Sequence, residues 1–474
     1  MLIEVKPTVT PKSEWGPDRI HFVGIGGVGM NGIAQVLLSL NHPITGSDIQ
    51  PNAATERLKA QGATIYIGHK AEQGKEAHVL VVSSAVADDN PEVLAAKARN
   101  TPVLHRSQML AEIMRYRYNI TIAGTHGKTT VSSLASTLLM DAGKKPTYII
   151  GGQLCATGRN AAFGGDESNY LVAEADESDG TFVQLFPSLA VVTSLDPDHL
   201  VNYGGEFSQL RAAFLKFLHE LPDIGIAHLC IDHPEVRGLI PDIQRDVTTY
   251  GFAEDADIHA YHYTQEAGVS RFKVATTEHP VFTVELPLPG RHNVQNALAT
   301  ISIGLQLKID VATIQASLKG FQGIKRRFEV KHSTLAIGDI TWIDDYAHHP
   351  DEIIATLDAV HEGWPEHRVV VAYQPHRYTR TKDTFTELVD VLSKIENLIL
   401  CEIYAAGEPP IAGADGATLS AAIQAQNGVA PTYIEQIDAL PDTLQRVVQA
   451  GDIVLTMGAG NIGQKAESYL HPTV

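Results

Sequence analysis

The residues best suited to chemistry occupy one short stretch, Asn119-Ile-Thr-Ile-Ala-Gly-Thr-His-Gly-Lys-Thr-Thr130. An apolar run, a glycine turn and a helix start direct backbone N–H groups and the positive helix end at an anion. Lys128 can reach terminal phosphates, and the Thr129 hydroxyl can hold magnesium. Ile122 stands where the usual, longer phosphate loop has its first glycine, so an ordinary strand–helix turn is the alternative. We predict phosphate binding, with ATP as the default nucleotide because no guanine-reading Asn-Lys-x-Asp occurs.

A cluster of acids follows the apolar run at residues 170–173, in the order Glu174-Ala-Asp-Glu-Ser-Asp179. A strand beside a phosphate loop commonly delivers a magnesium-binding carboxylate in this way, and Glu174 is the predicted ligand. Because four acids seldom share one ion, we expect some of the other three to be solvated or capping. His199 follows a further apolar run, and a structural role is as compatible with this position as metal or phosphate binding.

Two amides and a basic cluster could complete a nucleotide site. Asn293 and Asn296 lie three residues apart, on one face of the first turn of a predicted helix. They could read a purine edge or a ribose there, and helix capping is the alternative. Lys325-Arg326-Arg327 is the first dense basic cluster of an acidic chain. It suits the γ-phosphate of ATP better than it suits solvent.

A glycine motif near the start of the chain predicts a second anion site. Gly24-Ile-Gly26-Gly27-Val-Gly29 follows a strand and opens a helix, and Asp48 lies about twenty residues further on. NAD and a nucleotide diphosphate such as a UDP-sugar satisfy this pattern equally well. A similar motif, residues 458–463, follows a strand near the other end, and we predict a tight strand–helix turn there.

The last part of the chain holds basic and histidine residues after two predicted strands. Asp344-Asp345-Tyr346-Ala-His348-His349 follows the strand at residues 341–343. Arg377 and Arg380 follow the strand at residues 368–373, where they could fork onto a carboxylate. We predict a helix over residues 383–395 after them.

Composition excludes several classes of function. The 474 residues are 44% hydrophobic and have a net charge of −19, which indicates a globular chain and argues against nucleic-acid or anionic-membrane binding. Cys155, Cys230 and Cys401 are far apart and predict reduced core thiols. With no signal segment and no membrane-spanning apolar run, we expect a cytoplasmic protein.

Alternating strands and helices must position these groups. They predict an α/β fold with parallel sheets that place ligands at the carboxyl ends of the strands. The length suggests three domains. We expect an N-terminal Rossmann-like domain at residues 1–117, a central phosphate-loop ATPase-like domain at residues 118–325 and a C-terminal Rossmann-like domain at residues 326–474.

Taken in order, these motifs resemble those of the Mur ligases of peptidoglycan synthesis. The resemblance runs from about residue 20 to the C-terminal strands, through Gly-Ile-Gly-Gly-Val-Gly-Met, Gly-Thr-His-Gly-Lys-Thr-Thr, Glu-Ala-Asp-Glu-Ser-Asp, Asp-Pro-Asp-His, Arg-His-Asn-x-x-Asn-Ala, Arg-Arg-Phe, Asp-Asp-Tyr-Ala-His-His-Pro and Gln-Pro-His-Arg-Tyr-Thr-Arg. It implies an ATP- and Mg²⁺-dependent enzyme that joins L-alanine to the lactyl carboxylate of UDP-N-acetylmuramate. It further implies a monomer or weak homodimer without nucleic-acid or membrane partners.

The resemblance also implies roles for particular residues. The residues implied to bind the UDP-sugar are Gly24, Gly26, Gly27, Gly29, Asp48, Ser83 and Ser84. Those implied to bind ATP are Gly124, Thr125, His126, Gly127, Lys128, Thr129, Thr130, Asn293, Asn296, Arg327 and Asp345. Magnesium would be held by Thr129, Glu174 and His199, and alanine by His348, Arg377 and Arg380. Lys128, Glu174, His199, Arg327 and His348 form the implied catalytic set. Phe214 stands where sister ligases have a carbamylated lysine, so no carbamate is expected there.

Three alternatives remain open at this point. A nicotinamide dehydrogenase would use the first glycine motif but leaves Gly127-Lys128-Thr129 and the acidic cluster unexplained. A non-catalytic nucleotide-binding protein would need no alanine. Within the family, the recycling ligase that attaches a tripeptide is the nearest competitor.

Overall fold

The first strand, Ile-His-Phe-Val, has four buried residues and lies at the centre of a parallel sheet. Burial on both faces is typical of such sheets. A computed structural model describes residues 19–115, 117–428 and 430–470. The first sheet has the order β3-β2-β1-β4-β5, with β1 (Ile20–Val23), β2 (Ile44–Asp48), β3 (Thr64–Ile67), β4 (Val79–Val82) and β5 (Val103–His105). Its helices are α1 (Val28–Ser39), α2 (Ala53–Ala60), α3 (Pro91–Ala98) and α4 (Arg106–Met114).

A ten-stranded sheet follows, in the order β15-β14-β13-β12-β11-β10-β6-β9-β7-β8. Its strands are β6 (Tyr118–Ala123), β7 (Thr147–Leu154), β8 (Arg159–Ala162), β9 (Tyr170–Ala175), β10 (Leu189–Val192), β11 (Ile226–Cys230), β12 (Asp246–Gly251), β13 (Ile258–Glu266), β14 (Val269–Thr276) and β15 (Phe282–Leu286). The accompanying helices are α5 (Lys128–Asp141), α6 (Phe207–His219), α7 (Pro234–Arg237), α8 (Arg291–Gln306) and α9 (Val311–Lys319). Short 3₁₀ turns occupy Glu177–Asp179, Thr181–Gln184, Leu200–Tyr203 and Ile240–Asp242.

This sheet order brings the predicted ATP-site motifs to one edge. Strand β6 lies between β10 and β9, and all three run parallel. The carboxyl ends of parallel strands meet at one edge of a sheet. The phosphate loop after β6, the acids of β9 and the segment after β10 therefore lie side by side.

The third sheet has the order β16-β17-β21-β18-β19-β20, and only its β16–β17 pair is antiparallel. Its strands are β16 (Glu329–Leu335), β17 (Gly338–Asp345), β18 (Val369–Tyr373), β19 (Leu398–Cys401), β20 (Thr432–Ile434) and β21 (Ile453–Met457). The helices are α10 (Pro350–Gly363), α11 (Tyr378–Asp383), α12 (Phe385–Leu392), α13 (Gly416–Asn427), α14 (Leu440–Val447) and α15 (Ile462–Leu470), with a 3₁₀ turn at Ile437–Ala439.

Two sequence predictions in this last part were wrong in detail. The helix expected over residues 383–395 is the shorter α12 (Phe385–Leu392), and a separate helix that was not expected, α11 (Tyr378–Asp383), ends just before it at Thr384. The Thr384 hydroxyl donates to the Arg380 carbonyl at 2.9 Å, a local bond that competes with a continuous helix. Strand β17 also extends through Asp345, so both predicted loop acids belong to the strand.

The described chain forms two compact units. One contains the described residues up to His262 together with Phe272–Glu285 and Asn293–Phe321, and the other contains Tyr263–Arg271, Leu286–His292 and the described residues from Gln322 onward. Helices of sufficient length and apolarity to cross a membrane are absent from the part of the chain that the structure describes.

Candidate active site

The predicted phosphate loop joins β6 to α5. Gly124 and Gly127 both have positive φ angles, 137° and 85°, which strain residues other than glycine. A Cβ on Gly124 would lie 2.0 Å from Thr193 Oγ1, so the loop has no space for one. Within the described residues, no side chain caps α5 at Gly127. The N–H groups of the first turn of α5 therefore suit an anion.

The Lys128 ammonium is bound by a carboxylate that sequence reasoning left without a role. Lys128 Nζ donates to Glu177 Oε2 at 2.7 Å and Oε1 at 2.9 Å, and to the carbonyls of Gly124 and Thr125 at 2.5 and 3.2 Å. The Glu177 side chain is only 2% exposed. Burial raises the pKa of the Glu177 carboxyl, although Lys128 acts in the opposite direction. The two side chains form a buried ion pair at the place predicted for ATP phosphates.

Glu174 lies at the end of β9 and is fixed by three donors. Its Oε1 accepts the Gly151 N–H at 2.6 Å and the Ser132 hydroxyl at 2.8 Å, and its Oε2 accepts the Thr129 hydroxyl at 3.1 Å. A Cβ on Gly151 would lie 2.8 Å from both Thr129 Oγ1 and Glu174 Oε2. This space, bordered by a hydroxyl and a carboxylate oxygen, fits the ligand preference of magnesium.

His199 and Asn296 are two other residues of the predicted ATP site. His199 has a positive φ of 55°, and its Nε2 lies 3.4 Å from Asp198 Oδ2. Asn296 donates to Asn293 Oδ1 at 3.3 Å. Its own Oδ1 would lie 2.5 Å from a Cβ on Gly127, so Asn296 packs directly against the phosphate loop. A metal role for His199 and an ATP contact for either amide stay predictions.

A carboxylate between two histidines borders the other side of the phosphate loop. Asp196, after β10, lies 2.9 Å from His233 Nε2, and its second oxygen lies 3.8 Å from His126 Nε2. The Asp196 N–H donates to the Thr125 hydroxyl at 2.9 Å. His233 was missed because it lies beyond β11, far along the chain from the motif that it supports.

The first glycine turn is held by the end of β2. Gly24 N and Ile25 N donate to the Ser47 carbonyl at 2.8 and 3.0 Å, and Gly26 N donates to Asp48 Oδ2 at 2.7 Å. Asp48 therefore supports the turn itself. Within the described residues, α1 has no side-chain cap at Gly27 and no acid in its first turn, which leaves its N-terminus suited to an anion. Ser83 and Ser84 follow β4 at the same edge of the sheet.

The amino-acid site predicted for the last part of the chain lies at the ends of β17 and β18. His348 Nδ1 lies 3.0 Å from the Tyr346 carbonyl, and the His348 ring contacts the His376 ring edge to face at 6.0 Å. Arg380 Nη1 lies 3.4 Å from His376 Nδ1, and His376 stacks on Tyr404. Burial lowers the pKa of His348, with Glu352 acting in the opposite direction, and lowers that of His376 to about 3. Both imidazoles are therefore neutral near pH 7.

Arg327 and Asp345 belong to the same compact unit as His348 and His376. The Arg327 guanidinium lies 4.9 Å from the centre of the Tyr346 ring. Asp345 accepts the N–H groups of Phe328 and Ala347 at 2.6 and 2.7 Å, one at each oxygen. Burial raises the pKa of Asp345, while Arg327 acts to lower it. Oδ1 also accepts the Thr356 hydroxyl at 3.5 Å. Because a carboxylate oxygen can accept a second hydrogen bond, Oδ2 is the atom compatible with a ribose hydroxyl.

The second glycine motif is the tight strand–helix turn that we predicted. Arg326 donates to the carbonyls of Gly460, at 2.8 Å, and Gly458. A Cβ on Gly463 would lie 2.3 Å from Asp344 Oδ2. Protein groups thus fill the place that a dinucleotide phosphate would need.

Phe214 occupies the position at which we expect no carbamate. It is fully buried in α6, and its ring centre lies 5.1 Å from that of Phe182. The residue is part of the core.

Three family models match the chain in succession. They are "Mur ligase family, catalytic domain" at residues 19–118, "Mur ligase middle domain" at residues 122–304 and "Mur ligase, glutamate ligase domain" at residues 326–460. The chain therefore belongs to the Mur ligase family. This confirms the α/β class and the three-domain architecture, whereas the exact domain boundaries stay a prediction.

Individual relatives are similar over nearly the whole chain. The UDP-N-acetylmuramate–L-alanine ligase of Methylococcus capsulatus is 48% identical over 97% of this chain and 98% of its own length. Among solved structures, the UDP-N-acetylmuramate–alanine ligase of Thermotoga maritima matches with a TM-score of 0.82 and 26% identity, over 95% of this chain and 98% of that one. A murein peptide ligase of Psychrobacter arcticus matches with a TM-score of 0.71 and 23% identity, over 96% and 99%, which shows a shared fold.

Proposed function

We propose that this Mur ligase joins L-alanine to the lactyl carboxylate of UDP-N-acetylmuramate, with cleavage of ATP to ADP and phosphate, in cytoplasmic peptidoglycan precursor synthesis. The observation that carries the proposal is the 48% identity, over 97% of the chain, to an enzyme named for this reaction. The buried Lys128, the fixed Glu174 and the uncapped start of α5 support it, since an ATP-dependent ligase needs all three.

Amide formation from a carboxylate is uphill in water, and ATP makes it favourable. A lactyl carboxylate oxygen attacks the γ-phosphorus, ADP leaves, and an acyl phosphate forms. The neutral amine of alanine then attacks the acyl carbon, and inorganic phosphate leaves. Two anions must meet in the first step, so the site must neutralise charge and hold both groups in line.

The chain supplies the cationic and polar groups for this step. Lys128 leaves Glu177 to bind the β- and γ-phosphates, the start of α5 binds them through its N–H groups, and Arg327 contacts the γ-phosphate. Thr129 and Glu174, with His199 as a further ligand, would hold magnesium, which when bound neutralises charge on the two anions. His126, Asn293 and Asn296 support the nucleotide, and Asp345 accepts a ribose hydroxyl.

The two remaining substrates use the other anion sites. The glycine turn at residues 24–29, with Asp48, Ser83 and Ser84, holds the uridine diphosphate. Arg377 and Arg380 bind the carboxylate of alanine. The neutral His348 imidazole accepts the proton that the alanine ammonium must lose before attack. We assign these tasks to residues 1–117 and 326–474 respectively. ATP is bound mainly by residues 118–325, with Arg327 and Asp345 contributed by the last domain, and we expect a monomer or weak homodimer.

A phosphate-release assay tests the proposal. ATP, Mg²⁺, UDP-N-acetylmuramate and one amino acid are mixed with the enzyme, and alanine, glycine, serine and a murein tripeptide are compared. We expect release that requires both UDP-N-acetylmuramate and L-alanine, and its loss in Lys128→Ala.

Each other outcome identifies a rival. Release with the tripeptide but not with alanine would indicate the recycling ligase. ATP binding without amino-acid-dependent release would indicate a nucleotide-binding protein. Thermal protection by NADH, with none from the UDP-sugar, would indicate a dehydrogenase.

A further inference from the structure

An arginine at the start of α4 lies against the first glycine turn. A Cβ on Gly29 would lie 2.9 Å from Arg106 Nη1, so the guanidinium packs against Gly29 in the first turn of α1, where the glycine leaves space. The Arg106 side chain is 24% exposed. Sequence reasoning gave Arg106 no role, because nothing in its local motif links it to a glycine turn almost eighty residues earlier.

The other end of the same guanidinium binds the acidic cluster after β9. Arg106 Nη2 donates to Asp176 Oδ2 at 2.7 Å and to Asp179 Oδ2 at 3.2 Å. Within the described residues, both hydrogen bonds that the Arg106 side chain donates come from Nη2. The pKa of Arg106 is raised, since the two carboxylates outweigh the effect of burial. Nη1 is thus available on the side of the turn.

Asp179 is itself fixed by several elements. The Ser84 hydroxyl, after β4, donates to Asp179 Oδ2 at 2.6 Å, and the Thr181 N–H donates to Asp179 Oδ1 at 3.0 Å. His105 Nε2 lies 3.0 Å from the Ser84 hydroxyl. The guanidinium is therefore held in one orientation by groups that the first sheet and the ten-stranded sheet both supply.

The electrostatics at the turn favour an anion. The N-terminus of α1 has the positive end of the helix dipole, and the guanidinium lies beside Gly29 in its first turn. Asp176 and Asp179 offset the charge of the guanidinium at Nη2, whereas Nη1 and the N–H groups at the start of α1 are the donors beside Gly29. A guanidinium presents its donors as a planar fork that matches phosphate oxygens.

We propose that Arg106 binds the diphosphate of the UDP-sugar and that Asp176 and Asp179 are positioning residues that orient its guanidinium. Three acids at the end of β9 and just after it then divide between two sites: Glu174 borders the magnesium space, whereas Asp176 and Asp179 orient the arginine of the sugar-nucleotide site. The inference rests on the proposed function, because it takes a UDP-sugar as the ligand of the glycine turn.

Calorimetric titration of the full-length protein tests the assignment. The titrants are UDP-N-acetylmuramate, UDP and a non-hydrolysable ATP analogue with Mg²⁺. In Arg106→Gln we expect the Kd for both uridine compounds to rise by about 10- to 100-fold, the effect of one lost charged hydrogen-bond pair, and the Kd for the ATP analogue to stay within about twofold. Arg106→Lys should recover only part of the affinity, because lysine keeps the charge and loses the fork.

Two further variants separate binding from folding. Arg106→Gln leaves two acids without their cation, so the double variant Arg106→Gln with Asp179→Asn restores the charge balance and should still bind UDP weakly. Asp179→Asn alone should weaken UDP binding although it removes a negative charge. Arg115→Gln, at the exposed end of the same helix, is the matched control and should bind as wild type.

The outcomes are distinct. Wild-type affinity for UDP in Arg106→Gln, or tighter binding in Asp179→Asn, would overturn the inference and leave the ligase proposal intact. Loss of UDP-N-acetylmuramate binding with unchanged UDP binding would indicate that Arg106 contacts the sugar and not the diphosphate. This result would also overturn the inference. If the wild-type protein bound no uridine compound at all, the proposed function itself would fail.

Discussion

Glu177→Gln is the substitution whose consequence follows most directly from the geometry. Lys128 Nζ contacts both oxygens of Glu177, at 2.7 and 2.9 Å, in a place where the carboxylate is almost fully buried. ATP phosphates need the same ammonium group, so binding requires Lys128 to exchange one anion for another. Glutamine keeps the shape of the side chain and one acceptor oxygen, and it removes the charge.

The expected magnitude follows from the strength of that contact. A hydrogen bond to a charged group contributes about 1.5–3 kcal/mol. If glutamine keeps about half of this, the competition against ATP falls by about 0.8–1.5 kcal/mol, which corresponds to about four- to twelvefold in Kd. Repulsion between the carboxylate and the phosphates acts in the same direction. We therefore expect Glu177→Gln to bind ATP about tenfold more tightly than wild type above neutral pH.

The pH dependence has a definite sign. Burial raises the pKa of Glu177 to about 7, with Lys128 acting against this. Above this pKa the carboxylate is ionised and competes with phosphate for Lys128, and below it the carboxyl is neutral and does not. The Kd of the wild-type protein for ATP, divided by the Kd of Glu177→Gln, should thus be smaller at about pH 6 than at about pH 8. Glu177→Gln should lack this component.

Calorimetric titration with a non-hydrolysable ATP analogue and Mg²⁺, at several pH values, measures both effects. Glu167→Gln, which neutralises an exposed acid in the same unit, is the control for general charge and should match wild type. Thermal melting confirms that each variant is folded. Equal affinities and parallel pH profiles for Glu177→Gln and wild type would refute the reasoning, because they would mean that ATP does not displace this ion pair.

Three further predictions concern the other sites. Gly151→Ala should raise the Mg²⁺ concentration that gives half-maximal activity by at least about tenfold, because its Cβ would lie 2.8 Å from the oxygens of Thr129 and Glu174. The thermal stabilisation that Mg²⁺ gives should weaken in parallel. The control variant Gly238→Ala should change neither quantity. Gly463→Ala should lower the free energy of unfolding by about 1–3 kcal/mol in denaturant titrations, since the Cβ would clash with the Asp344 carboxylate, and unchanged stability would contradict this packing. Arg380→Lys should raise the KM for alanine and leave the KM for ATP unchanged, because lysine cannot fork onto a carboxylate; an equal rise in both would count against an alanine site.

The sequence predicted the elements better than it predicted the contacts between them. Apolar runs that end in glycine or in acids located β6 and β9 closely, because local periodicity and turn chemistry determine such elements. By contrast, Ser132 and Gly151 lie in ordinary helix and strand contexts, and only the sheet order brings them to Glu174. Long-range pairing of this kind has no local signature.

The second glycine motif is another case in which a long-range contact has no local signature in the sequence. Its spacing is that of a dinucleotide-binding turn, yet the turn is filled by Arg326, more than a hundred residues earlier, and by Asp344. The expectation of an ordinary turn came from counting motifs, since one chain seldom needs two such sites. The physical reason, a guanidinium bound to the turn carbonyls, required the tertiary structure.

The acidic cluster after β9 illustrates why position along the chain does not determine function. Four carboxylates in six residues would repel each other strongly if they shared one environment. Instead Lys128 neutralises Glu177, Arg106 binds Asp176 and Asp179, and Glu174 accepts three uncharged donors. Both cations of this arrangement have a further proposed partner, a phosphate group of ATP or of the UDP-sugar. The cluster thus lies between two anion sites, and a substrate that draws Lys128 away from Glu177, or that adds its charge beside Arg106, changes the electrostatic potential that the other substrate meets.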